Sequence, residues 1–155
     1  MYPQTHFLFS WLVALIFVKL NVINYKIAFF VVLLGVLIDL DHYFSYVIKY
    51  KKISFKQAWN NHVKQSHREK NFMHNKIGFL VITLISILIY FINQNVFWIL
   101  VLGYYSHMLM DFIQIRFLKF RNKITIHLLG FTEKITKTEV LFDVFLLIIL
   151  IFFDV

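Results

Sequence analysis

The chain has no cysteine, a single proline and four glycines among its 155 residues. Without cysteine there can be no disulfide and no thiolate metal site, so any metal must be held by imidazole and carboxylate. Acidic residues are also scarce, eight against sixteen Lys and Arg, and charged residues make up only 15% of the chain. The remainder is oily: 60% is hydrophobic and the mean hydropathy is +0.71, above the roughly half-apolar composition of an ordinary soluble domain. This composition predicts an all-α integral membrane protein forming one domain over residues 1–155. The 19 phenylalanines and eight tyrosines suit lipid contact and interfacial anchoring.

A net charge of +8 often points to nucleic acid. Here the aromatic residues lie in apolar runs and are not interleaved with the basic ones, so nucleic acid is not expected as a partner. In a membrane chain the same charge is accounted for by topology and by anionic lipid.

Five apolar stretches predict about five transmembrane helices: 7–18, 27–38, 77–92, 96–110 and 140–153, the last interrupted by Asp143. Each is shorter than the ~20 residues that cross a bilayer and must be completed by polar residues at one end. The first lacks a basic leader and a small-residue cleavage site, and reads as a retained helix. Asn93–Asn95 reads as the turn of a helical hairpin. The longer segments Lys49–Lys76 and Arg116–Glu139 carry eight and six of the sixteen Lys and Arg, leaving only Lys19 and Lys26 in the first short loop. That bias predicts both long segments on the cytoplasmic side of the inner membrane, with a helical cytoplasmic loop and a cytoplasmic N-terminus.

In this arrangement the polar residues collect at one level. His6 precedes the first span. Asp39, Asp41 and His42 close the second, His74 precedes the third, and His107 and Asp111 lie in the inner half of the fourth. Asp39 and His42 are spaced i,i+3, and His107 and Asp111 i,i+4, so each pair shares a helix face with Cβ atoms ~5–6 Å apart. Gly103, one turn before His107, would let a neighbouring helix approach closely. Carboxylates inside a span are costly and tend to mark function. Three acids and four imidazoles with few cations among them predict a divalent metal as the missing positive charge. Asp41 falls on the other face of a continuous helix; it joins the ligands only if the chain bends there, and otherwise orients a ligand or acts as a general base. His62 and His127 read as interfacial residues, and Asp143 admits either role.

The stretches "THFLFS", "IDLDH", "MHN" and "LGYYSHMLMD" occur in that order. Together they resemble the predicted membrane-bound metal-dependent hydrolases, the LexA-binding, inner-membrane-associated family of YdjM-like proteins, over roughly residues 5 to 111. Members of that family carry a threonine-histidine, then PDIDH, HRGxTHS and GxxSHxxxD. The resemblance maps Thr5 and His6, then Asp39, Asp41 and His42, then His74, then Ser106, His107 and Asp111, onto these motifs. Ile38 stands in place of the proline, and "EKNFMHN" puts Glu69, Lys70 and Met73 where the family has histidine, arginine and threonine.

Nitrogen and oxygen donors without sulfur suit zinc, manganese or iron(II); zinc is preferred because hydrolysis needs a Lewis acid and no redox change. One or two ions are expected, with His107, Asp111 and His74 as one set and His6, Asp39 and His42 as the other. The expected function is a membrane-embedded metal-dependent hydrolase acting on a phosphoester of a lipid or amphiphile at the cytoplasmic leaflet, with Asp41 as base and Arg68 and Lys70 binding the anionic headgroup. The alternative is a membrane protein that binds metal without turnover, or one whose basic loops engage a protein partner or DNA.

Overall fold

In a computed structural model, residues 3–65, 72–117, 123–128 and 131–153 are described. Among these residues seven α-helices follow one another: α1 (Pro3–Lys19), α2 (Tyr25–Leu37), α3 (Leu40–Tyr50), α4 (Phe55–Gln65), α5 (Lys76–Ile92), α6 (Gln94–Phe117) and α7 (Lys137–Phe153). A 3-10 turn, Phe72–His74, precedes α5, and two short strands, β1 (Lys123–Leu128) and β2 (Phe131–Thr136), lie between α6 and α7.

The strands depart from the all-α expectation. They pair antiparallel, Leu128 opposite Phe131 and Lys123 opposite Thr136. Lys123 to Leu128 alternates polar and apolar residues ahead of Gly130, which is the period of a strand followed by a turn residue. This alternation lies inside the basic segment Arg116–Glu139, where charge obscures it.

Helix ends follow local chemistry. Asn24 caps α2 by accepting from the Ile27 amide at 3.0 Å, and Asn75 caps α5 by accepting from the Gly78 amide at 2.7 Å. Asn21 adopts φ 57° in the turn from α1 to α2, a left-handed conformation that asparagine tolerates well. Asn93 ends α5, and its side chain accepts from the amides of Asn95 and Val96. This is the tight hairpin expected at 93–95.

Helices α1, α2 and α6 pack on one another; α5 lies against α6, and α7 against α1. At one end their interface is apolar: Ala14, Ile23, Ile27, Ala28, Val31, Val32 and Leu102 are buried together, with Trp11, Phe17 and Trp98 around them. Elsewhere large hydrophobic side chains such as Leu84, Leu88, Phe91, Leu141, Phe145 and Phe152 are exposed on α5 and α7, the surface expected of helices that face lipid.

Among the described residues, two stretches are long and apolar enough to cross a membrane, 25–50, in which α2 and α3 follow one another across a turn, and 94–113 within α6, while Lys76–Ile92 is apolar but shorter. That is fewer than the five expected. The reason is length: a 17-residue helix such as α1, α5 or α7 rises about 25 Å, short of the ~30 Å hydrocarbon core.

Two glycines set the closest helix approach. A Cβ on Gly103 would lie 3.0 Å from both the Val31 carbonyl oxygen and the Leu34 Cβ of α2, and a Cβ on Gly35 would collide with Ser10 Oγ of α1. Above this crossing Ser10 and Ser106 share a buried hydrogen bond of 2.9 Å. The three central helices are thus drawn together just where the polar residues begin.

Candidate metal centre

The second helix does not run on through its acidic end. α2 stops at Leu37, and the amides of Asp41 and His42 bond back to the carbonyls of Ile38 and Asp39 at 3.1 Å each, three residues apart. This tight turn is the bend that Asp41 required. It carries Asp39, Asp41 and His42 to the same side, where they meet residues from three other elements.

His107 lies on α6 and is fully buried. Its Nδ1 sits 2.7 Å from the carbonyl oxygen of Gly35. A carbonyl can only accept, so Nδ1 carries the proton and Nε2 presents a lone pair. His74 is held similarly. Its Nδ1 donates to Asp41 Oδ2 at 3.1 Å, and its Nε2 lies 3.0 Å from the Nε2 of His107. The loop bearing His74 is fixed twice more: Tyr104 donates to the Met73 carbonyl at 2.7 Å, and Gly78 leaves room for the Phe72 carbonyl, which any Cβ there would strike.

Around this pair of nitrogens stand two carboxylates. Asp111 Oδ2 is 3.3 Å from His74 Nε2 and 3.6 Å from His107 Nε2; Asp39 Oδ1 is 3.8 and 3.5 Å from the same two atoms. His6 of α1 stacks on His107 with ring centroids 4.0 Å apart, and its Nε2 lies 3.4 Å from Asp111 Oδ1 and 3.8 Å from Asp39 Oδ2. His42 stands on the outer side, its Nε2 3.9 Å from Asp39 Oδ1 and 3.8 Å from Asp41 Oδ1.

Among the described residues, three sets of donor atoms, each mutually within 4.8 Å, can hold an ion: His6, His107 and Asp111; Asp39, His74 and His107; and Asp41, His42 and His74. The structure therefore brings together His6, Asp39, Asp41, His42, His74, His107 and Asp111. The grouping differs from the two expected sets, because His6 stands with His107 and Asp111 rather than with His42. Stacking on His107 puts it there. Arg68 and Lys70 lie outside the described residues, as does His67. His127 sits in β1, paired with Thr132.

The donor set fits a divalent cation. Two lone pairs aimed at each other across 3.0 Å repel unless a proton or a cation lies between them. Two imidazoles on one tetrahedral zinc at ~2.0–2.1 Å place their nitrogens ~3.3 Å apart, close to the separation seen. In the metal-free protein the proton falls to His74. Burial opposes a charge on its ring, but the hydrogen bonds it donates to the Asp111 and Asp41 carboxylates outweigh that and push its pKa up to about 10. His74 is then an imidazolium that donates from both nitrogens, to Asp41 and to His107.

A scan against family models matches the YdjM inner membrane protein family over residues 1–153. The chain belongs to that family. The YdjM name indicates the inner membrane, which the two long apolar stretches fit. Its model reaches through α7, well past the stretch to Asp111 that carries the sequence motifs. No curated protein and no solved structure matches the chain.

Sequence reasoning did not find the groups that hold the ligands in place. The Gly35 carbonyl, the Tyr104 hydroxyl and the Ser10–Ser106 contact carry no residue-type signature of metal binding. Only the spacing of Gly103 ahead of His107 pointed to close helix approach at this level.

Proposed function

We propose that this YdjM-family chain is a membrane-embedded, metal-dependent hydrolase acting on a phosphoester of a lipid or amphiphile at the cytoplasmic leaflet. The observation that carries the reading is the pair of imidazoles, His74 and His107, with their Nε2 atoms 3.0 Å apart and each Nδ1 committed to an acceptor. A histidine whose outer nitrogen is fixed by a carboxylate or a backbone carbonyl is the usual form of a metal ligand.

His6, Asp39, His74, His107 and Asp111 would hold the ion, and the outer set Asp41, His42 and His74 offers a second position. Zinc suits these donors, with manganese or iron(II) as substitutes. A bound divalent ion supplies Lewis acidity and lowers the pKa of water, which is the chemistry hydrolysis requires. The protein contributes the rest. Asp41 holds the His74 ring and is the carboxylate placed to take up or return a proton at its Nδ1. The buried face of His6 and His107 excludes water from one side, while the partly exposed Asp39, Asp41, His42 and His74 leave the other side open to an amphiphile. Arg68 and Lys70 are assigned to the headgroup through their charge.

The test is a screen of Zn2+- and Mn2+-loaded protein in detergent or vesicles against phospholipids, lipid pyrophosphates and nucleotides. Turnover lost in His107→Ala supports the hydrolase. A centre that binds metal and whose cellular role survives Asp41→Asn combined with His107→Ala favours the non-catalytic alternative, metal binding or partner contact through the basic loops.

A further inference from the structure

Two of the three inner histidines have their outer nitrogen satisfied, His107 by the Gly35 carbonyl and His74 by Asp41. His6 does not. Its Nε2 faces Asp111 and Asp39, and both its nitrogens are buried without a hydrogen bond among the described residues. The other buried side-chain atoms in that condition are Thr5 Oγ1 and Asp143 Oδ1. These are the neighbours of His6: Thr5 precedes it, α7 packs against α1, and the Asp143 carboxyl lies within electrostatic reach of both the Thr5 hydroxyl and the His6 ring. Orphaned buried polar atoms are rare in folded proteins. Four of them gathered from three adjoining residues amount to one unfinished hydrogen-bond network.

We propose that Asp143 is the positioning residue for His6: its carboxylate accepts the proton of Nδ1, the Thr5 hydroxyl braces that carboxylate, and Nε2 is thereby kept as a bare donor facing Asp111. All three inner ligands are then oriented alike, each through its outer nitrogen. The assignment also gives α7 a part in the centre, although no residue beyond Asp111 belongs to the ligand motifs. It rests on the metal-centre reading above for its purpose, while its geometry concerns His6 alone.

The experiment uses the full chain in detergent, with Zn2+ alone as the probe and 15N-histidine NMR as a second readout. Asp143→Asn should weaken Zn2+ binding about 10–100-fold, the range seen when an orienting partner is removed, and Asp143→Glu should recover part of it. In metal-free protein the His6 signal should report the Nδ1–H tautomer in wild type and a mixed tautomer in Asp143→Asn. Thr5→Val provides a smaller change of the same sign should Asp143→Asn not fold. Unchanged affinity together with an unchanged tautomer would overturn the proposal. Should wild type bind no Zn2+ at all, the metal reading fails, and the tautomer comparison still decides the role of Asp143.

Discussion

Metal binding at this centre should be a proton exchange, and its pH dependence can be worked from His74. In the metal-free protein the His74 pKa is raised from 6.5 to about 10. Its Nε2 must lose its proton before it can ligate. At pH 7, well below that value, few His74 rings are bare, so apparent affinity should rise with pH from 6 to 9, by up to about tenfold per unit for the one proton displaced, and flatten once His74 is deprotonated. About one proton should leave for each ion bound. The sign for the metal-free fold is the opposite. A folded pKa raised above the unfolded value stabilises the protein fully below pH ~6.5, and that contribution fades as pH climbs toward 10. Chelator competition with Zn2+ between pH 6 and 9, paired with calorimetry in buffers of different ionisation enthalpy, reads both quantities. Asp41→Asn should lower the midpoint, because one of the two carboxylates that raise the His74 pKa is gone, while Asp111 remains. Affinity that stays flat across this range, with no proton released, would refute the reasoning.

Other consequences follow from the same geometry. Gly103→Ala places a methyl group 3.0 Å from the Val31 carbonyl and Leu34; it should cost about 1–3 kcal/mol, as overpacking does, and lower the melting temperature in detergent. Tyr104→Phe removes the bond to the Met73 carbonyl and should weaken metal binding several-fold with little change in melting, since it loosens only the turn that carries His74. A reporter fused after Gln94 should read as periplasmic and one fused after Arg121 as cytoplasmic; the reverse would move the centre to the other leaflet.

The placement of the polar residues was legible in the sequence because two independent periodicities agree. Four of the five apolar runs that fall short of a span are bordered by His or Asp, and the i,i+3 and i,i+4 spacings put such residues on shared faces. What could not be read was how the chain turns between helices. The bend at Ile38–Asp39 that brings Asp41 beside His74 is made by backbone hydrogen bonds three residues apart, which any residues could form. The acceptor for His107 is a main-chain carbonyl, and its identity depends on the crossing of α2 and α6 rather than on a side chain. Charge dominates the segment between α6 and α7 and obscures its strand pairing, although Ile124, Ile126 and Leu128 alternate as a strand does. The span count came out lower because hydropathy marks where a helix is oily, whereas crossing also depends on its length.

The central claim is that His6, Asp39, His74, His107 and Asp111 form a metal centre. Elemental analysis of detergent-purified protein, prepared without chelator and compared with Asp111→Asn, tests it most directly. Asp111 faces all three inner histidines, so its amide should lose the ion while the fold persists. The account predicts at least one zinc, manganese or iron per chain in wild type and a large loss in the variant. Wild type free of divalent metal after incubation with each ion, or the same content in both proteins, would contradict it.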